Sequence, residues 1–292
     1  AFDVGEYGIG RLANSLTIGC DCRGHIHYFD GIVNDTTGAP VVIENAICMH
    51  EEDEGMLWKH TDYMTMDVET RRSRRLIISS VATVGNYEYG FFWSLYLDGT
   101  IALEVKLTGI MNTAGLNDVS GDKYGTQVSP GVMAQNHLHL FCARLDAAID
   151  GAANNLVEVN VVQDPPGPDN PWGNAFHAER TVLKSEMAAR RDRNADTERY
   201  WKITNPNRQN RMGGDTGYKL MAPSMVRPFN HGDTLMAKRA AFTRHHIWAT
   251  PYRTEERYPA GVYVNQSNGE DGIETWTAAD RNIENTDIVV WH

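Results

Sequence analysis

Two histidines one residue apart, His137 and His139, are the residues of this chain best spaced for metal chemistry. In a β-strand successive side chains alternate faces, so both imidazoles would share one face, roughly 7 Å apart, and could converge on one cation. Leu138 would then turn to the opposite, core-facing side. Imidazoles suit copper, zinc, iron or nickel. The pair His245-His246 is less well placed, because adjacent strand residues face opposite ways. His50-Glu51-Glu52-Asp53-Glu54 lacks the His-Glu-x-x-His spacing of a zinc protease and reads as a solvated acidic run, which disfavours a two-histidine zinc hydrolase. Its basic counterpart, Arg71-Arg72-Ser73-Arg74-Arg75, reads as a strand edge pairing with those acids rather than as a phosphate patch. Gly5, Gly8 and Gly10 form no phosphate loop, since no lysine follows and no helix pattern opens. Tyr87, taken alone, is one more strand aromatic.

The elements that must position these groups are short strands. Ser15 to Gly19, His25 to Phe29, Val41 to Ile47, Leu76 to Tyr89, Phe91 to Leu97, Ile101 to Leu107, Gln135 to Arg144, Asn155 to Val162 and Ile288 to Trp291 all read as strands between turn signals. Asp30-Gly31 reads as a turn, and Asp98-Gly99 is the strongest hairpin signal. The run Asp164-Pro165-Pro166-Gly167-Pro168 admits neither helix nor central strand. Thr181 to Arg199 is the one expected helix, with Leu183, Met187 and Ala188 on one face. The pattern predicts an all-β protein, a large antiparallel sandwich with one or few peripheral helices. With no repeat and no clear linker, residues 1–292 read as one domain.

The chain has 292 residues, enough for a sizeable core, and its charge is 27 minus 38, or −11. An acidic balance argues against a nucleic-acid partner and suits cationic substrates. No apolar run is long enough to cross a bilayer, which predicts no membrane partner, and no signal peptide is visible, so the compartment stays open. The start at Ala1 without Met and the stop at His292 read as both ends cut from a longer protein. Of four cysteines, Cys20 and Cys22 lie too close for a Cys-x-x-Cys motif. A Cys22–Cys48 bridge would close about 25 residues and contribute roughly 3 kcal/mol. Composition alone favours free thiols.

Thr83-Val84-Gly85-Asn86-Tyr87-Glu88, the His137-x-His139 pair and the Asp3 turn together resemble the copper amine oxidases, whose Thr-x-x-Asn-Tyr-Asp/Glu motif carries a tyrosine that oxidises itself to a quinone. Ala1 to Tyr7, Leu16 to Cys22, Glu44 to Asp53 and Leu107 to Ile110 resemble that family in the same order. The resemblance runs over essentially the whole chain and covers most of the family's C-terminal catalytic sandwich, without its smaller N-terminal domains. It implies that Tyr87 is the precursor of topaquinone, that Asn86 restrains the quinone ring, and that Asp3 is the proton acceptor. It implies His137 and His139 as two of three copper(II) ligands, Cys22–Cys48 as a disulfide, and a homodimer. Asp146, Asp287 and the Ile288 carbonyl match a peripheral second metal site, for a divalent cation such as calcium, although Ala148 stands where some members have another Asp.

The implied reaction is oxidative deamination. A primary amine forms a Schiff base at the quinone carbonyl, Asp3 removes a proton from its α-carbon, and hydrolysis releases aldehyde. Dioxygen reoxidises the cofactor, giving hydrogen peroxide and ammonia. The family's third copper histidine lies beyond His292, which itself reads as a strand-end histidine. The alternative expectation is therefore a catalytically incompetent sandwich fragment. Substrate identity is beyond the sequence.

Overall fold

The computed structural model describes residues 8–116, 123–221, 227–264 and 267–292. Its contacts divide the chain into two units, Tyr7–His137 and a second that contains Leu138–His292. Both are built from antiparallel sheets, as the strand pattern predicts.

In the first unit, β1 (Ile26–Asn34), β2 (Pro40–Thr61), β3 (Val68–Val84), β4 (Tyr87–Tyr96) and β5 (Ile101–Gly109) pair in chain order as a meander. Asp98-Gly99 turns β4 into β5 as expected: Gly99 adopts φ +85°, and the Asp98 carboxylate accepts from the Thr100 N–H at 2.9 Å. Asp30-Gly31 makes no turn. It lies within β1 at a shift in register, with Gly31 close against Ala46. The acidic and basic runs meet on neighbouring β2 and β3, where Arg72 pairs with Asp53, Arg74 with Glu51, and Arg75 with Glu52 and Glu54. A three-stranded sheet of β6 (Thr113–Gly115), β7 (Gly125–Ser129) and β8 (Val132–Gln135) completes the unit, with β8 central.

Two of the expected strands do not form as such. Ser15 to Gly19 forms none. Instead residues 13–16 brace the sheet: Ala13 bridges Ala82, the Asn14 N–H donates to Val81 O, and the Leu16 N–H donates to Asn45 O. They occupy the edge of β3 left open where its pairing with β2 ends, at Cys48 opposite Ser79. Leu76 to Tyr89 is not one strand but a hairpin, turned at Gly85-Asn86, with Gly85 at φ +63°. Apolar residues on both sides of a two-residue turn continue the same pattern, so periodicity alone does not see the break.

The second unit holds β9 (Arg144–Asp146), β10 (Ala153–Gln163), β11 (Phe176–Leu183), β12 (Tyr200–Gln209), β13 (Asp215–Leu220), β14 (Trp248–Pro251) and β15 (Thr286–Trp291). The order is β13-β12-β10-β15-β14, with β11 on β10 and β9 on β15. β15 is buried on both faces. Ile288 and Val290 join a core with Leu156, Trp201 and Ile203, whereas Val289 and Trp291 pack with Trp248 and Ile273. The helices α1 (Leu235–Arg239) and α2 (Ile273–Trp276) are single turns.

The helix expected over Thr181–Arg199 does not form. β11 runs to Leu183, and the chain then passes through turns and isolated bridges to Asn282 and Ile247. Its backbone groups find distant partners: the Glu186 N–H donates to Arg281 O, and the Met187 N–H to the Asp280 carboxylate. Glu186 is fully buried, and its carboxylate accepts from Arg281 Nη2 at 2.7 Å and Nε at 2.9 Å. Tertiary partners override a helical pattern.

Candidate active site

Tyr87 opens β4 directly after the Gly85-Asn86 turn and sits opposite Gly109, the last residue of β5. Gly109 adopts φ +103°, and a Cβ there would lie 2.5 Å from Asn86 O and 3.1 Å from Tyr87 Cα. The close approach lets the Ile110 N–H donate to Asn86 O at 2.7 Å. Only glycine allows β5 to lie this tightly under the turn. The Tyr87 hydroxyl is fixed by two bonds. It donates to His137 Nε2 at 3.0 Å and accepts from the Asn112 backbone N–H at 3.1 Å. The two rings are 5.5 Å apart.

His137 is oriented in turn. Its Nδ1 lies 2.9 Å from Gln135 O, an acceptor only, so Nδ1 carries the proton of the neutral ring and Nε2 presents its lone pair toward Tyr87. Metal-binding histidines are held this way, with one nitrogen donating to a carbonyl and the other turned to ligate. This donor chemistry fits copper. The local bond to Gln135 O also competes with strand pairing. β8 ends at Gln135 and β9 begins at Arg144, so the strand expected from Gln135 to Arg144 is an extended segment off the ladders. Leu138 is 49 % exposed rather than in the core. His139 is half-buried in the second unit. Asp3 lies outside the described residues. Among the described residues no group of three or more His, Cys, Asp or Glu is arranged to hold a metal.

Thr83 faces Glu88 across the hairpin. The Glu88 carboxylate accepts from the Thr83 hydroxyl at 2.8 Å and from the Asn14 amide at 3.2 Å, anchoring the base of the turn. Asn112 and Asn14 escaped the sequence reading. One acts through its backbone and the other from 74 residues away, so neither leaves a local signal.

Asp146 lies opposite Val289, beside Asp287 and Ile288 of β15. Burial first, and then the Asp146 charge, push the Asp287 carboxyl above its ordinary value. Arg144 pairs with Asp146 at 3.3 Å, and Ile288 O accepts from the Ala147 N–H at 3.2 Å. The Asp146 carboxylate and the Ile288 carbonyl are thus engaged with protein partners. His292 extends the β15 ladder through two backbone bonds with Ala143, as a strand-end histidine would. Cys22 and Cys48, both thiols here, are buried together with Leu16.

A family model described as the copper amine oxidase enzyme domain matches residues 1–292. The chain belongs to the copper amine oxidase family. It is 50 % identical over 291 residues to a histamine oxidase of Arthrobacter globiformis, covering all of this chain and 42 % of that protein. It is 47 % identical over 294 residues to a primary amine oxidase of Arthrobacter sp. strain P1, covering all of this chain and 45 % of the relative. Among solved structures, a copper-containing benzylamine oxidase from Hansenula polymorpha superposes with a TM-score of 0.94 at 37 % identity, over all of this chain and 46 % of that one. The chain thus spans less than half the length of these relatives, and the part it spans has their all-β fold.

Proposed function

We propose that this chain is the catalytic part of a copper-dependent primary-amine oxidase, converting primary amines to aldehydes with release of ammonia and hydrogen peroxide. The observation that carries the reading is the Tyr87 hydroxyl donating to His137 Nε2 while it accepts from the Asn112 N–H. His137 Nε2 and His139 would hold copper(II). Topaquinone formed from Tyr87 would supply an electrophilic carbonyl and a two-electron sink, which no standard side chain provides.

The remaining work falls to ordinary side chains. The Asn112 N–H steadies the Tyr87 oxygen as negative charge develops there. Asn86, held at its carbonyl by Ile110, restrains the ring that follows it. Asp3 takes the proton from the substrate α-carbon, a role worth about 10²–10⁴ in rate for a positioned base. The net charge of −11 draws alkylammonium substrates toward the protein. A second copy of the chain is the expected macromolecular partner. The distal β2–β3 ribbon supports this by exposing Met56, Trp58, Tyr63, Met64 and Met66.

The test is colour. Copper-free protein given copper(II) in air should develop a visible quinone absorbance that phenylhydrazine titrates, and both Tyr87→Phe and His137→Ala should stay colourless. Equal colour in Tyr87→Phe overturns the cofactor assignment. A full-length protein carrying this chain that never colours overturns the activity.

A further inference from the structure

Away from Tyr87, β2 carries a second line of reactive groups. Cys48, His50 and Glu52 share one face of the strand at alternate positions, the first two buried. Cys48 Sγ is 3.4 Å from His50 Nδ1, and His50 Nε2 is 3.0 Å from Glu52 Oε1. Glu52 Oε2 accepts from Arg75 Nη2 at 2.9 Å, and Arg75 also meets Glu54 and Tyr96.

The chain of acceptors fixes the tautomer. Burial opposes the charge of Glu52, but hydrogen bonds from His50 and Arg75 outweigh it and hold its carboxyl below the usual range. An ionised Glu52 only accepts, so His50 Nε2 carries the proton of the neutral ring. Nδ1 then offers its lone pair to the Cys48 thiol. This is the order of groups that activates a nucleophile: sulfur, imidazole base, orienting carboxylate.

Cys48 also has a partner of its own kind. Cys22 packs against it in the cluster with Leu16, Ile26, Tyr28 and Val81. Burial first, then Cys22, push the Cys48 thiol up to about 12, so little free thiolate exists near neutral pH. Tyr28, opposite Cys48 on β1, is raised by burial and then by Cys22, and stays a neutral phenol. A thiol in such surroundings can react only if its proton leaves as the sulfur attacks.

We propose that Cys48, His50 and Glu52 form a proton relay at which the Cys22–Cys48 pair is oxidised and reduced, with His50 Nδ1 taking and returning the Cys48 proton. The resemblance implies the bridge; the relay is what the geometry adds. The oxidant is a low-molecular-weight disulfide. Cys22 exchanges with it, forming a mixed disulfide and releasing one thiol. Cys48 sulfur then attacks the Cys22 sulfur, its proton passes to His50 Nδ1, and the second small thiolate leaves and collects that proton. Two protein thiols and one small disulfide thus give one protein disulfide and two small thiols. His50 is the catalytic base of this exchange, and Glu52 is a positioning residue.

The bridge has a structural reach. It ties the base of the segment whose Asn14 holds Glu88 beside the Tyr87 turn. The ionisable groups around the relay are Glu52 on its own strand, Arg75 on β3, Tyr28 on β1, and Asp21 and Cys22 on the preceding segment.

The experiment follows re-oxidation of the reduced protein, in a Cys20→Ser background that removes the neighbouring exposed thiol. Protein is mixed with oxidised glutathione at several values from about pH 6 to about pH 9, quenched in acid, alkylated and mapped by mass spectrometry. The parent should form the Cys22–Cys48 bridge with a shallow pH dependence. His50→Gln should slow bridge formation by about 10²-fold near neutrality, with the rate climbing steeply as pH rises. Glu52→Gln should slow it less and steepen the profile. An equal rate and profile in a folded His50→Gln protein overturns the relay, as does a parent that never forms the bridge. Should His50→Gln fail to fold, Glu52→Gln with the parent rate and profile overturns it.

Discussion

Gly109→Ala is the most demanding test of how the sheet presents Tyr87. The new Cβ would stand 2.5 Å from Asn86 O, 3.0 Å from Glu88 N and 3.1 Å from Tyr87 Cα, all of them backbone atoms that cannot swing aside. Restoring an ordinary 3.4 Å contact to Asn86 O means moving the turn or β5 by about 0.9 Å, the difference between 3.4 and 2.5. The Tyr87 hydroxyl bonds, at 3.0 and 3.1 Å, cannot both survive such a shift. The side chain must also be held at φ +103°, which costs about 1–3 kcal/mol before any overlap is counted. Gly99→Ala is the matched control: its φ is +85°, but nothing lies within 4 Å of its Cβ position. Urea unfolding should therefore show Gly109→Ala about 2–4 kcal/mol less stable than the parent, and Gly99→Ala only about 1–2. Quinone colour should develop about 10²-fold more slowly in Gly109→Ala, as expected for a misplacement near 1 Å, and at the parent rate in Gly99→Ala. Equal losses of stability and equal colour rates in the two variants would refute the reasoning, because the backbone contact would then carry no weight.

Two further outcomes concern the second unit. Glu186→Ala should cost about 3–5 kcal/mol in denaturant melts, since it leaves the Arg281 guanidinium with Glu256 alone, whereas Arg72→Ala at an exposed pair should cost under about 1 kcal/mol. Similar costs would contradict the distinction between buried and exposed pairs. Glu158 is almost fully buried; burial opposes its charge, but hydrogen bonds from Arg191 and Asn160 and the charges of Arg191 and Arg199 hold its carboxyl low. Its folded pKa thus lies below its unfolded one, so its stabilising contribution is present above about pH 4.5 and lost as pH falls further. His246 is depressed chiefly by burial, and His292 by burial and then by His246, so both favour the neutral ring and draw stability down as pH falls below about 6.5. Melting temperature followed from neutral to acid pH should fall in two stages, with Glu158→Gln flattening only the lower one. A variant that flattens the upper stage instead would contradict the assignment.

Several of these features could be read from residues directly. The Asp98-Gly99 hairpin was legible because a turn of that kind is specified locally. The pairing of the acidic run with the arginines was legible because opposite charges at matching strand lengths have few other partners. The Tyr87 motif and the His137-x-His139 pair stood out through their residue types, and of these the structure brings Tyr87 and His137 together. What failed were inferences that let a local pattern stand for tertiary partners. Thr181–Arg199 has helical spacing, yet the buried Glu186–Arg281 pair and the bridges to Ile247 and Asn282 outweigh it. Gln135–Arg144 has strand spacing, yet the His137 side chain bonds Gln135 O and the ladder ends there.

The sequence by itself determined which groups can react, because the chemistry of a phenol, an imidazole or a thiol belongs to the residue type. It also determined the all-β class, through alternating apolar residues and turn dipeptides. Only the tertiary structure decided what each group faces. Tyr87 meets His137 from 50 residues away because Gly109 lets β5 close beneath the turn, and His50 meets Cys48 as a base because Arg75, across the sheet, keeps Glu52 charged. Proton positions and tautomers follow from such partners, and partners far apart in the chain are set by packing rather than by local spacing.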